Sequence, residues 1–310
     1  MKIKKLVWPI VGSAAVVFSV WLLYKELRGL SLQDLAESLR AILPLNWALA
    51  VGATIAAYAA LAAYDHVALL HLRRRINWLF ITLCSFTTYA VAHNIGASVF
   101  SGAVIRYRAY SSKGLTGREI GVLVGFCSLT FALGAMLLTG VTLFVRPDIA
   151  ERFVDILPHG FGRWTGAALI ALVFFYLLGS WLELRPLKIG NFELQYPRLP
   201  VALRQLAVAP LELIAAGSIL YFALPATGNP GFIIVLGIFL ISFSVALLSH
   251  APGGVGVLEL MFITGLPDMD PTAVLAALLV FRMLYLIVPF VISLIIILLF
   301  ERSQYHLPEA

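Results

Sequence analysis

The chain has 310 residues, 61% of them apolar and only 12% charged, with a formal net charge of +6. Soluble domains carry about a quarter charged residues, so a water-soluble globule and a disordered scaffold are both excluded. Continuous apolar runs, many about 20 residues long, also exclude a β-barrel, whose strands alternate, and leave a helical chain that crosses a bilayer several times.

The first five residues hold three lysines, and an apolar stretch follows over 6–24. No small-x-small cleavage site closes it, so it reads as a retained first span rather than a removed signal peptide. Residues 31–40 place Leu32, Leu35 and Leu39 on one face of a helix with polar residues between them. That amphipathic helix either lies along the membrane surface or is a solvated connector. A second span is expected over 47–70. After Arg73, Arg74 and Arg75 comes an apolar segment, 79–105, interrupted at His93-Asn94-Ile95-Gly96 and again at Ser101-Gly102. Further spans are expected over 119–145, 164–182 and 205–224. A second interrupted segment, 232–266, breaks at Ser249-His250-Ala251-Pro252-Gly253-Gly254, and the last span covers 272–300. Trp8, Trp21, Trp47, Trp78, Trp164 and Trp181 sit near span ends, as an interfacial belt requires.

Proline removes a helix hydrogen bond and glycine loosens the backbone, so both interrupted segments should break near mid-membrane. Such backbone is tolerated at that depth only where protein or a wet cavity satisfies the freed groups. Each segment either crosses with a kink or turns back as a re-entrant hairpin. Charge counting favours the hairpins. With both re-entrant and the N-terminus in the cytoplasm, fifteen Lys and Arg fall on the cytoplasmic side and six outside, with Arg282 inside a span. With both crossing fully, that asymmetry disappears, against the positive-inside rule.

The expected fold is therefore an all-α polytopic membrane protein with six full spans and two re-entrant broken-helix hairpins. Residues 1–310 form one transmembrane domain built of two inverted repeats, 6–145 and 164–300, each running span, span, hairpin, span. Ala92-His93-Asn94-Ile95-Gly96 stands against Ser249-His250-Ala251-Pro252-Gly253-Gly254, and Gly114-Leu115 against Gly265-Leu266. Inverted repeats with broken helices at matching positions are typical of transporters, whose site lies between the breaks.

Few polar residues sit inside the apolar runs: Asp65, His66, His93, Asn94, Glu212, His250, Glu259 and Arg282. An Arg at mid-span costs roughly 2.5–3.5 kcal/mol on insertion scales, so Arg282 should face the interior, with Glu259 as its partner. That pair either braces the second hairpin or grips a headgroup or proton. Arg106, Arg108 and Tyr110 stand where the first hairpin leaves the membrane. Guanidinium forks hold phosphate bidentately, so these residues either bind an anionic headgroup or are ordinary flanking charge. His93, Asn94, His250, Pro252, Gly253 and Gly254 are candidates through their matching break positions. Cys84 and Cys127 lie in apolar runs and read as small core residues. His66 and His71, five apart, miss the spacing of a helical metal pair. No metal site, cofactor, catalytic motif or phosphate-binding loop is expected. The basic charge clusters at helix ends, which argues for lipid headgroups and against nucleic acid. Gly121 and Gly125 form a helix-packing motif.

Three stretches resemble the transmembrane domain of the lysylphosphatidylglycerol synthase/flippase family, the membrane half of the multiple peptide resistance factor. They are Ser101-Gly102 leading to Arg106 and Gly114-Leu115, then Pro252-Gly253-Gly254-Val255-Gly256-Val257-Leu258-Glu259, and Phe281-Arg282 followed by Tyr285 and Pro289. The resemblance implies a helical lipid-flippase domain with re-entrant segments, and makes Arg106, Glu259 and Arg282 family motif positions. Family synthases continue into a soluble aminoacyl-transfer domain, whereas these residues stop at Ala310, so lipid translocation rather than lysyl transfer is the expectation. Short family members are also linked to hopanoid and polyprenyl-glycan pathways.

The function expected is translocation of an anionic or aminoacylated phospholipid, or a related lipid, across a bacterial inner membrane, with both termini cytoplasmic and no enzymatic activity. A homodimer would be compatible. With no ATP-binding element in the sequence, the energy would come from an ion or lipid gradient. Two other classes stay open: a noncatalytic subunit that holds a lipid-synthesis enzyme in the membrane, and an intramembrane transferase.

Overall fold

The computed structural model describes residues 32–95, 98–153, 158, 160–184, 187–189, 192–194, 196–249 and 254–305. The expected first span, the break residues Gly96, His250, Pro252 and Gly253, and both termini lie outside them.

The described elements are almost all helical. In chain order they are α1 (Leu32–Ala41), α2 (Pro44–His71), α3 (Trp78–Ile95), α4 (Ser98–Ser111), α5 (Gly117–Val145), the single turn α6 (Asp148–Glu151) and α7 (Phe161–Trp181). A short hairpin of β1 (Leu187–Ile189) and β2 (Phe192–Leu194) precedes α8 (Leu199–Ala223), α9 (Phe232–Ser249), α10 (Val257–Gly265), α11 (Pro271–Phe281) and α12 (Val288–Tyr305). A π-helical turn, Arg282–Ile287, joins α11 to α12.

Among the described residues, five helices are long and apolar enough to cross a membrane: α2, α5, α7, α8 and the joined stretch Pro271–Phe300. They match five of the six expected spans to within a few residues. Trp164 and Trp181 are both exposed near the two ends of α7, about 26 Å apart along a helix rising 1.5 Å per residue. That separation suits two interfacial belts across a core of roughly 30 Å. The two interrupted segments appear as helix–break–helix pairs, α3 with α4 and α9 with α10. α1 packs against α11, with Gln33, Asp34, Glu37 and Arg40 exposed.

The β-hairpin is an addition to the all-helical expectation. Leu187 pairs with Leu194 and Ile189 with Phe192 in antiparallel register. Its signal was present in the sequence, since Leu-Lys-Ile and Phe-Glu-Leu alternate around Gly190-Asn191, a dipeptide favoured in two-residue hairpin loops.

The described residues fall into two compact units. One comprises those within Met1–Thr54, Thr87–Gly102 and Ala216–Ala310, the other those within Ile55–Phe86 and Ala103–Ala215. Each draws on both halves of the chain.

In the second unit, small residues let long helices approach closely. A Cβ built on Gly134 of α5 would lie 2.7 Å from the Ala209 backbone of α8. One on Gly140 would meet Gly166 of α7 at 3.0 Å, and one on Gly166 would meet Gly140 at 2.6 Å. Backbone contact through such residues is how helices associate where no water drives them together. Among the described residues, a Cβ on Gly121 or Gly125 would meet nothing within 4 Å. A buried polar chain crosses the same helices. The Tyr176 hydroxyl donates to Gln205 Oε1 (2.6 Å), and Gln205 Nε2 donates to Thr130 Oγ1 (2.8 Å).

Candidate functional site

Each helix that follows a break carries a buried charge matched by a long helix. In α4 that charge is Arg106. Its Nη2 donates to Asp65 Oδ1 at 2.6 Å and its Nε to Asp65 Oδ2 at 3.3 Å, with Asp65 projecting from α2. The Tyr110 hydroxyl, one turn further along α4, donates to Asp65 Oδ2 at 2.9 Å, and the Cys127 thiol of α5 reaches Oδ1 at 3.4 Å. Asp65 and Tyr110 are fully buried, and Arg106 nearly so. Helical spacing explains the convergence, because residues 106 and 110 share a face.

The expectation that Arg106 and Tyr110 grip a headgroup therefore meets a competing ligand already in place. A carboxylate is a bidentate acceptor for the same guanidinium fork that would hold a phosphate. Arg108 lies on the exposed side of α4. Asp65 is the functional candidate that sequence reasoning noticed but left without a partner. The signal was its own charge, since an acid inside a 28-residue apolar helix requires a cation.

In α10 the charge is Glu259. Its Oε1 accepts from Arg282 Nη2 (2.7 Å) and Nε (2.9 Å), so the expected pair is present. Its Oε2 accepts the Gly256 backbone N–H at 2.8 Å, which caps the start of α10. Gly256 has φ +82°, in the region that glycine enters without a steric penalty, so it can turn the chain into this cap. Gly254, also at positive φ (+66°), is buried: a Cβ there would stand 3.1 Å from both Ala246 and Leu258.

Arg282 opens the π-helical turn, a feature the sequence reading of one regular last span did not anticipate. Pro289 has no N–H to offer the turn before it, and Val288 N–H bonds back five residues to the Met283 carbonyl. Asn94 Nδ2 donates to the Leu286 carbonyl inside this turn (3.0 Å) and to Ala90 O (2.8 Å). Next to Asn94, the His93 ring stacks on Tyr285 with centroids 5.3 Å apart and also leans on Tyr89. The stack continues from Tyr285 to Phe281, whose ring meets Phe239 edge-on. His93 Nδ1 is buried with no hydrogen-bond partner among the described residues. Thus His93, Asn94, Gly254, Glu259 and Arg282 all belong to one unit, whereas Arg106, Arg108 and Tyr110 belong to the other.

Long apolar helices, with buried ion pairs and a widened turn among them, define a multi-pass membrane protein whose apolar helices carry buried charge. The chain belongs to the family described as the lysylphosphatidylglycerol synthase TM region, which it matches over residues 10–293. It is similar to protein slr0712 of Synechocystis sp., with 30% identity over 93% of this chain and 89% of that protein. It is also similar to the inner membrane protein YbhN of Escherichia coli, at 29% identity over 82% and 80% of the two chains. Phosphatidylglycerol lysyltransferase of Bacillus subtilis is 24% identical over 95% of this chain, a match that spans 34% of the larger protein.

Proposed function

We propose that the protein moves an anionic or aminoacylated phospholipid between the leaflets of a bacterial inner membrane, through two re-entrant hairpins in inverted repeats. The observation that carries this reading is that each broken segment ends beside its own beginning. The Phe80 ring at the start of α3 lies edge-on to Tyr110 at the end of α4, with centroids 5.9 Å apart, and Lys113 Nζ stands over Phe80 at 4.8 Å. Before α9, a Cβ on Gly228 would lie 2.9 Å from the carbonyl oxygen of Asp268, which follows α10.

Length argues the same way. α3 and α4 have 18 and 14 residues, about 48 Å end to end, which exceeds one crossing of a core of roughly 30 Å. Paired broken helices that return to their own side are the elements between which transporters hold substrate. Membership of a family named for lysylphosphatidylglycerol synthase, with relatives named phosphatidylglycerol lysyltransferase, directs the substrate reading to phospholipid. The charge asymmetry puts both termini and the Arg73–75 loop in the cytoplasm.

Liposomes reconstituted with the protein and a fluorescent phosphatidylglycerol test the transport step. Loss of the total fluorescence beyond the share held in the outer leaflet on dithionite addition, faster than in protein-free liposomes, is the expected result. A rate equal to that of empty liposomes overturns it. For topology, Ser111→Cys in a chain with Cys84 and Cys127 replaced should resist an impermeant reagent added outside cells. Labelling there removes the first hairpin from the assigned side.

A further inference from the structure

A groove of about 440 Å³ runs between α2 and α8, lined by Ala63, His66, Val67 and Leu70 on one side and Arg204, Ala207 and Val208 on the other. We propose that it is a binding site for one anionic phospholipid, with an acyl chain between the two helices and the phosphate on Arg204 and His66. The volume falls in the range of ligand clefts, and the lining matches an amphiphile: five apolar residues and two nitrogen-bearing side chains, with no carboxylate.

The depth of the two polar residues fits a headgroup. Arg204 is five residues past the start of α8, and His66 five residues before the end of α2. At 1.5 Å per residue each stands about 7.5 Å inside its helix end, where a long basic side chain reaches the phosphate layer. Both ends lie on the side marked by Arg73, Arg74 and Arg75, and the His66 ring is edge-on to the exposed interfacial Trp78 at 4.8 Å. Arg204 is exposed and makes no ion pair among the described residues, so its guanidinium has the two parallel donors that a phosphate accepts. The Tyr64 hydroxyl donates to the Ala209 carbonyl at 2.8 Å, tying the same two helices one residue beyond Ala63 and Val208. The groove is therefore preformed, which lowers the ordering cost of binding.

The proposal rests on α2 and α8 being membrane helices and does not require transport, so binding is read separately from the liposome assay. The probes are phosphatidylglycerol and phosphatidylcholine with the same acyl chains, titrated into the detergent-purified protein by native mass spectrometry. A photoreactive acyl phosphatidylglycerol then maps the contact by peptide sequencing. Both lipids carry the phosphate, so the preference reads net charge: phosphatidylglycerol should bind about tenfold more tightly, because the choline cation of phosphatidylcholine offsets the attraction to Arg204. Arg204→Gln should abolish the preference and Arg204→Lys should retain most of it. Ala207→Phe, at an exposed position filling the groove, should remove cross-links to peptides containing residues 63–70. Equal binding of the two lipids, a preference that survives Arg204→Gln, or cross-links unchanged by Ala207→Phe would each overturn the site. Translocation without this preference would leave the transport reading intact and remove only the groove.

Discussion

Glu119 and Glu259 make the same contacts at two helix starts, and they differ in what surrounds them. Each stands at the third position of its helix, and its Oε2 accepts the backbone N–H of the residue three before it, Thr116 or Gly256. Each gives Oε1 to an arginine far along the chain, Arg74 at 2.7 Å or Arg282 at 2.7 Å. Arg74 and Glu119 are 45% and 23% exposed, however, whereas Arg282 and Glu259 are 13% and 5% exposed. Water screens the first pair, which leaves it little net worth. The second pair has surrendered its hydration, so losing one partner strands a charge in low dielectric at a cost of about 3–5 kcal/mol. The same local chemistry becomes a surface clasp in one place and a structural commitment in the other.

The comparison sharpens most at Asp65, the acid most completely removed from water. Asp65→Ala leaves Arg106 and the Tyr110 hydroxyl without their acceptor, and should cost about 3–5 kcal/mol, read as a lower thermal midpoint for the detergent-purified protein. Adding Arg106→Ala should restore part of the loss, so the double variant falls short of the summed single effects. An additive double would show that the pair is not coupled.

Glu259→Gln retains an acceptor for the Gly256 N–H but deletes the charge opposite Arg282. About 3 kcal/mol of stability should be lost if the ion pair matters more than the cap. Exchanging the pair, as Glu259→Arg with Arg282→Glu, then separates structure from transport. A swap that stays monodisperse yet scrambles lipid poorly assigns the pair to the translocation path. Full activity would leave it a brace.

Gly134→Ala tests whether close packing rivals the buried charges. Its Cβ would sit 2.7 Å from the Ala209 backbone, so about 1–3 kcal/mol should be lost as the two helices move apart. Arg74→Gln should change stability far less than Gly134→Ala does, and the difference should shrink as salt is raised. A loss as large as that of Glu259→Gln would break the comparison.

The smallest effect should come from Arg146 and Asp148, a bidentate pair just past the end of α5. Hydrogen bonds from Arg146 hold the Asp148 carboxyl below its ordinary range. Its contribution is therefore complete above the unfolded-state value of about 3.9 and is lost as pH falls through the lower folded value. The difference in thermal midpoint between the wild type and Asp148→Asn should be small at pH 7, because both side chains are over 40% exposed, and should vanish at strongly acid pH.

Hydropathy by itself determined the membrane class and the five described spans, because twenty consecutive apolar residues have few alternatives to crossing a bilayer. It also marked the two interrupted segments: α3 continues through His93 and Asn94 to Ile95 with α4 starting at Ser98, and α9 ends at Ser249 with α10 starting at Val257. The pairing of Glu259 with Arg282 was legible for a simple reason: two opposite charges in neighbouring apolar segments have few other partners. Only the tertiary structure decided that Arg106 belongs to Asp65, 41 residues earlier, because contact between different helices depends on their rotation and depth. The same holds for Gly134 and Gly140, which meet neighbouring helices while Gly121 and Gly125 meet none among the described residues, though all four sit in one apolar helix. The π turn needed both levels. Pro289 withholds the N–H, but Asn94, on another helix, supplies the donor that reaches the Leu286 carbonyl.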